Sequence, residues 1–177
     1  MGASAAQIAQ LDQAVFAFQN ALSIKPDYAE GYYNMGNALQ QQGKLDEAIE
    51  AYNKAISIKP DFAETYYNMG NALKEKGTLD EAIEAYNKAI SIKPDYAEAC
   101  YNMGIALKEK GTPDEAIQAY KKAISIKPDY AEAYSNMGNA LKEKGTPDEA
   151  IQAYKKAISI KPDYAEAYYN MGIALQQ

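Results

Sequence analysis

The sequence predicts an all-α array of stacked helix hairpins, and three observations carry that prediction. The tetrapeptide Ile-Lys-Pro-Asp recurs with its proline at Pro26, Pro60, Pro94, Pro128 and Pro162, a constant spacing of 34 residues. Each period holds two segments in which apolar or small residues return every third or fourth position, the mark of one helical face. Glycine and proline punctuate every period at the same places. A fixed period of about 20–50 residues means that one supersecondary unit is stacked on copies of itself, each burying the face its neighbour exposes. Function is then to be sought on a repeated surface.

The first element is read as one long helix from about Ser4 to Ile24. Ser4 and Gln7 have capping-box spacing, and Ile8, Leu11, Val15, Phe18 and Leu22 step along one face. Residues 29–62 serve as the pattern for the repeat. Asp27 and Glu30 form an Asp-x-x-Glu capping box, and Tyr32, Met35, Gly36 and Leu39 follow on one face, so a first helix runs from about Tyr28 to Gln42. Gly43 ends it by supplying the left-handed conformation a helix C-terminus needs. In later copies Thr112-Pro113-Asp114-Glu115 and Thr146-Pro147-Asp148-Glu149 give an N-cap threonine, a proline at the first helical position and a glutamate at the third. The second helix has the face Ala48, Ile49, Tyr52, Ala55 and Ile56 and stops near Lys59, before Pro60. Gly36, Gly70, Gly104, Gly138 and Gly172 lie inside first helices, where glycine costs about 1 kcal/mol relative to alanine. The small residues Ala48, Ala82, Ala116 and Ala150 on the second helices suggest that the two backbones cross closely there.

Composition excludes whole classes of function. A net charge of −6 and a pI near 4.8 argue against nucleic acid, which is bound through clustered Lys and Arg, and Lys121-Lys122 and Lys155-Lys156 are too few to change that. No apolar run approaches the roughly 18 residues of a membrane helix, and Gly2–Gln10 lacks the basic and apolar regions of a signal peptide, so a soluble, cytoplasmic chain is expected. Cys100 is the single cysteine and histidine is absent. No Ser-His-Asp or Cys-His pair, zinc cluster or glycine-rich phosphate loop can be assembled, so neither enzymatic activity nor a cofactor or metal is expected.

The pattern Tyr32, Met35-Gly36, Leu39, Ala48, Tyr52, Ala55 and Pro60 resembles the tetratricopeptide repeat. It recurs over 29–62, 63–96, 97–130 and 131–164, with an unpaired first helix at 165–177 and an unpaired second-helix type within the N-terminal segment 1–28. The departures are Met before the glycine and Cys100 in place of the first aromatic, both of them packing substitutions. The resemblance implies a right-handed superhelical solenoid of antiparallel helix hairpins whose concave wall is lined by the first helices. The rows on that wall are Glu30/Glu64/Glu98/Glu132/Glu166, Tyr33/Tyr67/Tyr101/Ser135/Tyr169, Asn34/Asn68/Asn102/Asn136/Asn170, Asn37/Asn71/Ile105/Asn139/Ile173 and Gln40/Lys74/Lys108/Lys142/Gln176.

Asparagine is a mediocre helix former placed in mid-helix without a capping role, which points the amide rows to the backbone of an extended peptide or partner protein. The tyrosines Tyr33, Tyr67, Tyr101 and Tyr169 add flat area with a polar tip. The carboxylate clamp known in the family uses Lys and Arg, and here Glu98, Glu132, Tyr33, Tyr67, Tyr101, Asn102 and Asn136 hold those positions, so a clamp is not expected. Copies 97–130 and 131–164 differ only at Cys100/Tyr134, Tyr101/Ser135 and Ile105/Asn139, two of which are wall positions.

The leading reading is a non-catalytic scaffold binding an extended peptide or partner protein in its groove. A second is a head-to-tail homo-oligomer. In it Met171, Gly172 and Leu175 of a C-terminal helix Ala165–Gln177 meet Ala14, Val15 and Phe18 of another copy, with Phe16 as a further exposed contact. A third is the recruitment array of a larger glycosyltransferase, since Asn71-Ala72-Leu73-Lys74-Glu75-Lys76-Gly77 resembles the array of O-linked N-acetylglucosamine transferases.

Overall fold

The computed structural model describes residues 5–176, and regular structure among them is entirely helical. The chain divides into two compact units, 1–93 and 94–177. The first unit holds α1 (Ala5–Ile24), α2 (Ala29–Gln41), α3 (Leu45–Ile58), α4 (Ala63–Lys76) and α5 (Leu79–Ile92). The pairs α2/α3 and α4/α5 are the hairpins, α1 packs on α2, α3 packs on α4, and the first helices α2 and α4 also touch. The second unit repeats the scheme with α6 (Ala97–Glu109), α7 (Pro113–Ile126), α8 (Ala131–Glu143), α9 (Pro147–Ile160) and α10 (Ala165–Ala174). Its hairpins are α6/α7 and α8/α9, with α7 on α8, α10 on α9, and α8 touching both α6 and α10.

Each tight turn is made by a glycine in the left-handed region, with φ of 75° at Gly43, 87° at Gly77, 85° at Gly111 and 84° at Gly145. The residue after the glycine closes the turn backwards: Thr78, Thr112 and Thr146 donate their backbone N–H to the carbonyls of Leu73, Leu107 and Leu141 at 3.0 Å. Their hydroxyls donate to the same carbonyls at 3.1, 3.0 and 3.0 Å. This corrects the expected N-cap role of Thr112 and Thr146. Both stand at the N-cap, before a proline at the first helical position, but their ψ of 71° and 69° does not bring the hydroxyl onto the new helix, so it seals the old one. The Asp27–Glu30 capping box does not form either. The N-cap is Tyr28, the chain enters α2 at ψ 89°, and no side chain caps the helix. Ser4 of the other expected box lies outside the described residues.

Inside the hairpins the mid-helix glycines receive the rings of the buried tyrosines on the second helices. A Cβ on Gly36 would stand 2.5 Å from Tyr52 Cε1, on Gly70 2.7 Å from Tyr86 Cε1, on Gly104 2.5 Å from Tyr120 Cε1 and on Gly138 2.6 Å from Tyr154 Cε1. The close approach is thus glycine to ring, and the expected pairing with Ala48 is corrected: Ala48 is buried, but the notch is filled by Tyr52. An aromatic ring fills far more space than a methyl group, so deleting one Cβ gains a large apolar contact that offsets the helix-propensity cost. Gly172 has no such neighbour within 4 Å.

The core of the first unit gathers Leu39, Ala48, Ala51, Tyr52 and Ala72, with Val15, Met35, Ile49 and Met69 packed against it. Val15, expected among the self-association residues, is half-buried and packs against this cluster. Leu22 is buried, Leu11 and Phe18 are half-buried, and Ile8 and Phe16 are exposed. The last helix closes at Ala174 with Leu175 as its C-cap, short of the expected Gln177, which lies outside the described residues.

Candidate functional site

The first helices of each unit carry the predicted rows, and the structure shows what holds them. Lys59, at the end of α3, places Nζ 3.5 Å from Glu30 Oε1 and 4.5 Å above the Phe62 ring. Lys161 repeats this with Glu132 (3.7 Å) and the Tyr164 ring (4.9 Å), and Lys93 reaches Glu64 at 3.5 Å. The lysine of the recurring Ile-Lys-Pro-Asp motif thus pairs with the acidic row at Glu30, Glu64 and Glu132. Hydrogen bonding to backbone N–H and then Lys59 hold the Glu30 carboxyl below its ordinary value.

The tyrosine row is wedged into aromatic stacks. Tyr33 lies 4.9 Å from Phe62 and 6.4 Å from Tyr52, ring centre to ring centre; Tyr101 lies 4.8 Å from Tyr130 and 6.0 Å from Tyr120. Tyr33, Tyr67 and Tyr101 are half-buried, whereas Tyr169 is 70% exposed. Ser135, expected on the same wall, is fully buried. Nearby Tyr164 has its hydroxyl pKa raised by burial.

The asparagines are the centre of the polar network. Tyr52 Oη lies 2.8 Å from Asn37 Oδ1 and 2.9 Å from Gln40 Oε1, sharing its one proton between them. Tyr86 donates to Asn71 Oδ1 and Tyr154 to Asn139 Oδ1, each at 2.8 Å. The row Asn37, Asn71 and Asn139 is therefore oriented by the tyrosines that fill the glycine notches. Asn68 Nδ2 donates to Tyr33 Oη (3.1 Å) and Asn37 Oδ1 (2.8 Å), joining α4 to α2; Asn136 Nδ2 donates to Tyr101 Oη (2.8 Å), joining α8 to α6. Asn34 is exposed, while Asn102 and Asn170 are half-buried. Where the row has Ile105, Tyr120 Oη is buried without a hydrogen-bond partner. Burial raises the hydroxyl pKa to about 12 at Tyr101 and Tyr154 and further at Tyr52 and Tyr120.

Between α2 and α4 this network surrounds a polar pocket of about 520 Å³ lined by Asn37, Gln40, Gln41, Asn68, Asn71 and Glu75. Gln41 and Glu75 were not singled out from sequence, and neither were Tyr52, Tyr86 and Tyr154 as anchors of the amides. The available signal was the constant 15-residue spacing from Asn37 to Tyr52, Asn71 to Tyr86 and Asn139 to Tyr154. Of the residues expected in self-association, Phe16 and Leu175 are each 65% exposed, and Phe18 and Met171 are half-buried. Among the described residues no group of His, Cys, Asp or Glu side chains is placed to hold a metal ion, and no helix is long and apolar enough to cross a membrane. Cys100 is buried, and burial raises its thiol pKa.

Stacked helix hairpins with glycine-tyrosine locks and an amide face on the first helices define a helical repeat protein of the scaffold type. The chain belongs to the tetratricopeptide-repeat family: the TPR repeat model matches residues 9–43, 36–77, 70–111, 106–145 and 138–177. The crystal structure of MamA aligns with a TM-score of 0.84 at 34% identity, covering 89% of this chain and 92% of that one. MamA 41-end from Desulfovibrio magneticus RS-1 aligns with a TM-score of 0.81 at 19% identity, over 88% of each chain. YrrB, a TPR protein with an unusual peptide-binding site, aligns with a TM-score of 0.80 at 24% identity, covering 93% of this chain and 84% of that one. No curated protein matches significantly in sequence.

Proposed function

We propose that this chain is a non-catalytic scaffold whose first-helix face binds an extended peptide or a partner's extended segment. The observation that carries the proposal is the pocket between α2 and α4, lined by five amide side chains and one carboxylate. Amides both donate and accept, which suits the alternating N–H and C=O groups of a peptide backbone. The bonds from Tyr52 and Asn68 fix Asn37 before any ligand arrives, so little ordering entropy remains to be lost on binding. That a fold relative, YrrB, is described as having a peptide-binding site is consistent with this use of the fold.

The direct test is a blocking substitution. Gln41 is exposed and lines the pocket, and Gln41→Trp fills it without removing any of the bonds above. A partner isolated by pull-down, and a peptide covering its contact region, should lose at least about tenfold in calorimetric affinity, or about 1.4 kcal/mol. Undiminished affinity for the variant would refute the site.

The exposed apolar side chains Phe16 and Leu175 favour a second reading, association of copies of this chain. Light scattering across a concentration series tests it: Phe16→Asp and Leu175→Asp should each remove any concentration-dependent mass, and a parent chain of constant monomer mass would refute it.

A further inference from the structure

Going one step beyond the peptide-binding reading, and resting on it, we propose that the pocket between α2 and α4 is a subsite for one cationic side chain, Lys or Arg, of the bound segment. Glu75 is its counter-charge. Of the six residues lining the pocket, Glu75 alone is charged. Its contact from the protein is an amide: Gln40 Nε2 lies 3.5 Å from Glu75 Oε2, the long end of a hydrogen bond. The other end of that amide faces the hairpin, with Gln40 Oε1 2.9 Å from Tyr52 Oη.

The second unit shows what the first one lacks. There the equivalent carboxylate, Glu143, is met by Lys108 Nζ at 3.5 Å, so its charge is neutralised within the protein. The difference is written in the sequence. The end of α2 reads Gln40-Gln41-Gln42, whereas the end of α6 reads Lys108-Glu109-Lys110. Replacing the lysine by glutamine removes the internal cation and leaves a carboxylate at the rim of an amide-lined cavity of about 520 Å³. An ammonium or guanidinium group carries only donors, and the pocket offers it one charged and several amide acceptors. A neutral side chain placed there would desolvate Glu75 without compensation, and an acidic one would be repelled. The wider field has the same sign, since residues 1–93 hold 12 acidic and 8 basic side chains against 12 and 10 in 94–177. This is the inverse of a carboxylate clamp: the protein supplies the anion and the ligand the cation.

The probes are short capped peptides of alternating valine and serine with a central lysine, norleucine or glutamate, titrated into the full chain by calorimetry and amide NMR. The lysine peptide should bind about tenfold more tightly than the norleucine peptide, and its advantage should shrink as salt is raised. Glu75→Gln should abolish the advantage, and so should Gln40→Lys, which installs the second unit's internal cation. Glu143→Gln should leave it intact. Equal affinity of the lysine and norleucine peptides, or an advantage that survives in Glu75→Gln, would overturn the cation subsite while leaving the peptide-binding reading standing. Absence of binding by any of the peptides would overturn the subsite as stated, and an undiminished response of a natural partner to Gln41→Trp would separately remove the reading beneath it.

Discussion

Replacing Ile105 with asparagine should stabilise the α6/α7 hairpin, although it puts a polar side chain where an aliphatic one stands. The Tyr120 hydroxyl is buried without a partner, and such an orphan costs about 1–3 kcal/mol. In the sister hairpins the same hydroxyl reaches Asn37, Asn71 or Asn139 at 2.8 Å, so the acceptor geometry already exists in the fold. Against this stands the lost apolar contact of Ile105, which is half-buried and so contributes about half of the 1.5–3 kcal/mol of full burial. The helix propensities of the two residues nearly cancel. The balance is a gain on the order of 1 kcal/mol. The reverse change, Asn139→Ile, orphans the Tyr154 hydroxyl and should cost a similar amount. Urea unfolding of both variants gives the sign. Hydrogen exchange at the α6 and α7 amides localises it, because repeat arrays open unit by unit and one global midpoint can hide a local change. If Ile105→Asn loses stability and Asn139→Ile gains it, the tyrosine–asparagine bond is not what orders these hairpins.

Three further outcomes follow from the same contacts. Gly70→Ala should destabilise by about 1–2 kcal/mol, since the new Cβ would lie 2.7 Å from the Tyr86 ring and overpacking outweighs the propensity gain; Gly172→Ala, with nothing within 4 Å, should stabilise by up to about 1 kcal/mol, both read from thermal unfolding. High pH should unfold the chain through its buried tyrosines. Tyr101 and Tyr154 ionise near 12 when folded, and Tyr52 and Tyr120 higher still, against about 10 when unfolded. The unfolded state therefore releases protons first, and the stability these groups contribute is complete below about pH 10 and is lost as pH rises through 12. Their phenolate absorbance should rise together with loss of helical circular dichroism, and full ionisation within an intact helical array would refute the assignment. Asn68→Ala should lower thermal stability by about 1–2 kcal/mol despite alanine's better helix propensity, because it removes the bonds to Tyr33 and Asn37; an unchanged midpoint would show those bonds to be idle.

The hairpins were legible in the sequence because what makes them is local. Gly43, Gly77, Gly111 and Gly145 announce the turns by residue type, and all four take positive φ. Proline at the first position of α7 and α9 likewise fixes those helix starts. The face was legible as a set of rows but not as a circuit. Asn37 could be assigned to a surface by its helical register. That its carbonyl is taken by Tyr52, and that Tyr33 is clasped by Phe62, depends on how the hairpin closes. Gly36 was matched to Ala48 because two small residues suggest crossing backbones. The ring of Tyr52 fills the notch instead, an outcome that a residue-type pattern cannot distinguish. The threonine hydroxyls point backwards to Leu107 and Leu141 for the same reason: the residue type identifies a cap, and the backbone angle chooses which helix is capped.

The side-chain bonds that tie these helices together are short in chain length. The tyrosine locks join residues 15 apart, the pairs of Lys59, Lys93 and Lys161 with Glu30, Glu64 and Glu132 span 29, and the bonds between neighbouring first helices 31 or 35. None waits for a distant segment. As the chain leaves the ribosome, each hairpin can close as soon as its second helix emerges and can dock as soon as the next first helix follows, so buried tyrosines and apolar faces stay uncovered only for the time taken to add about one more repeat. An architecture of this kind limits its own exposure to aggregation during synthesis, whatever the number of repeats.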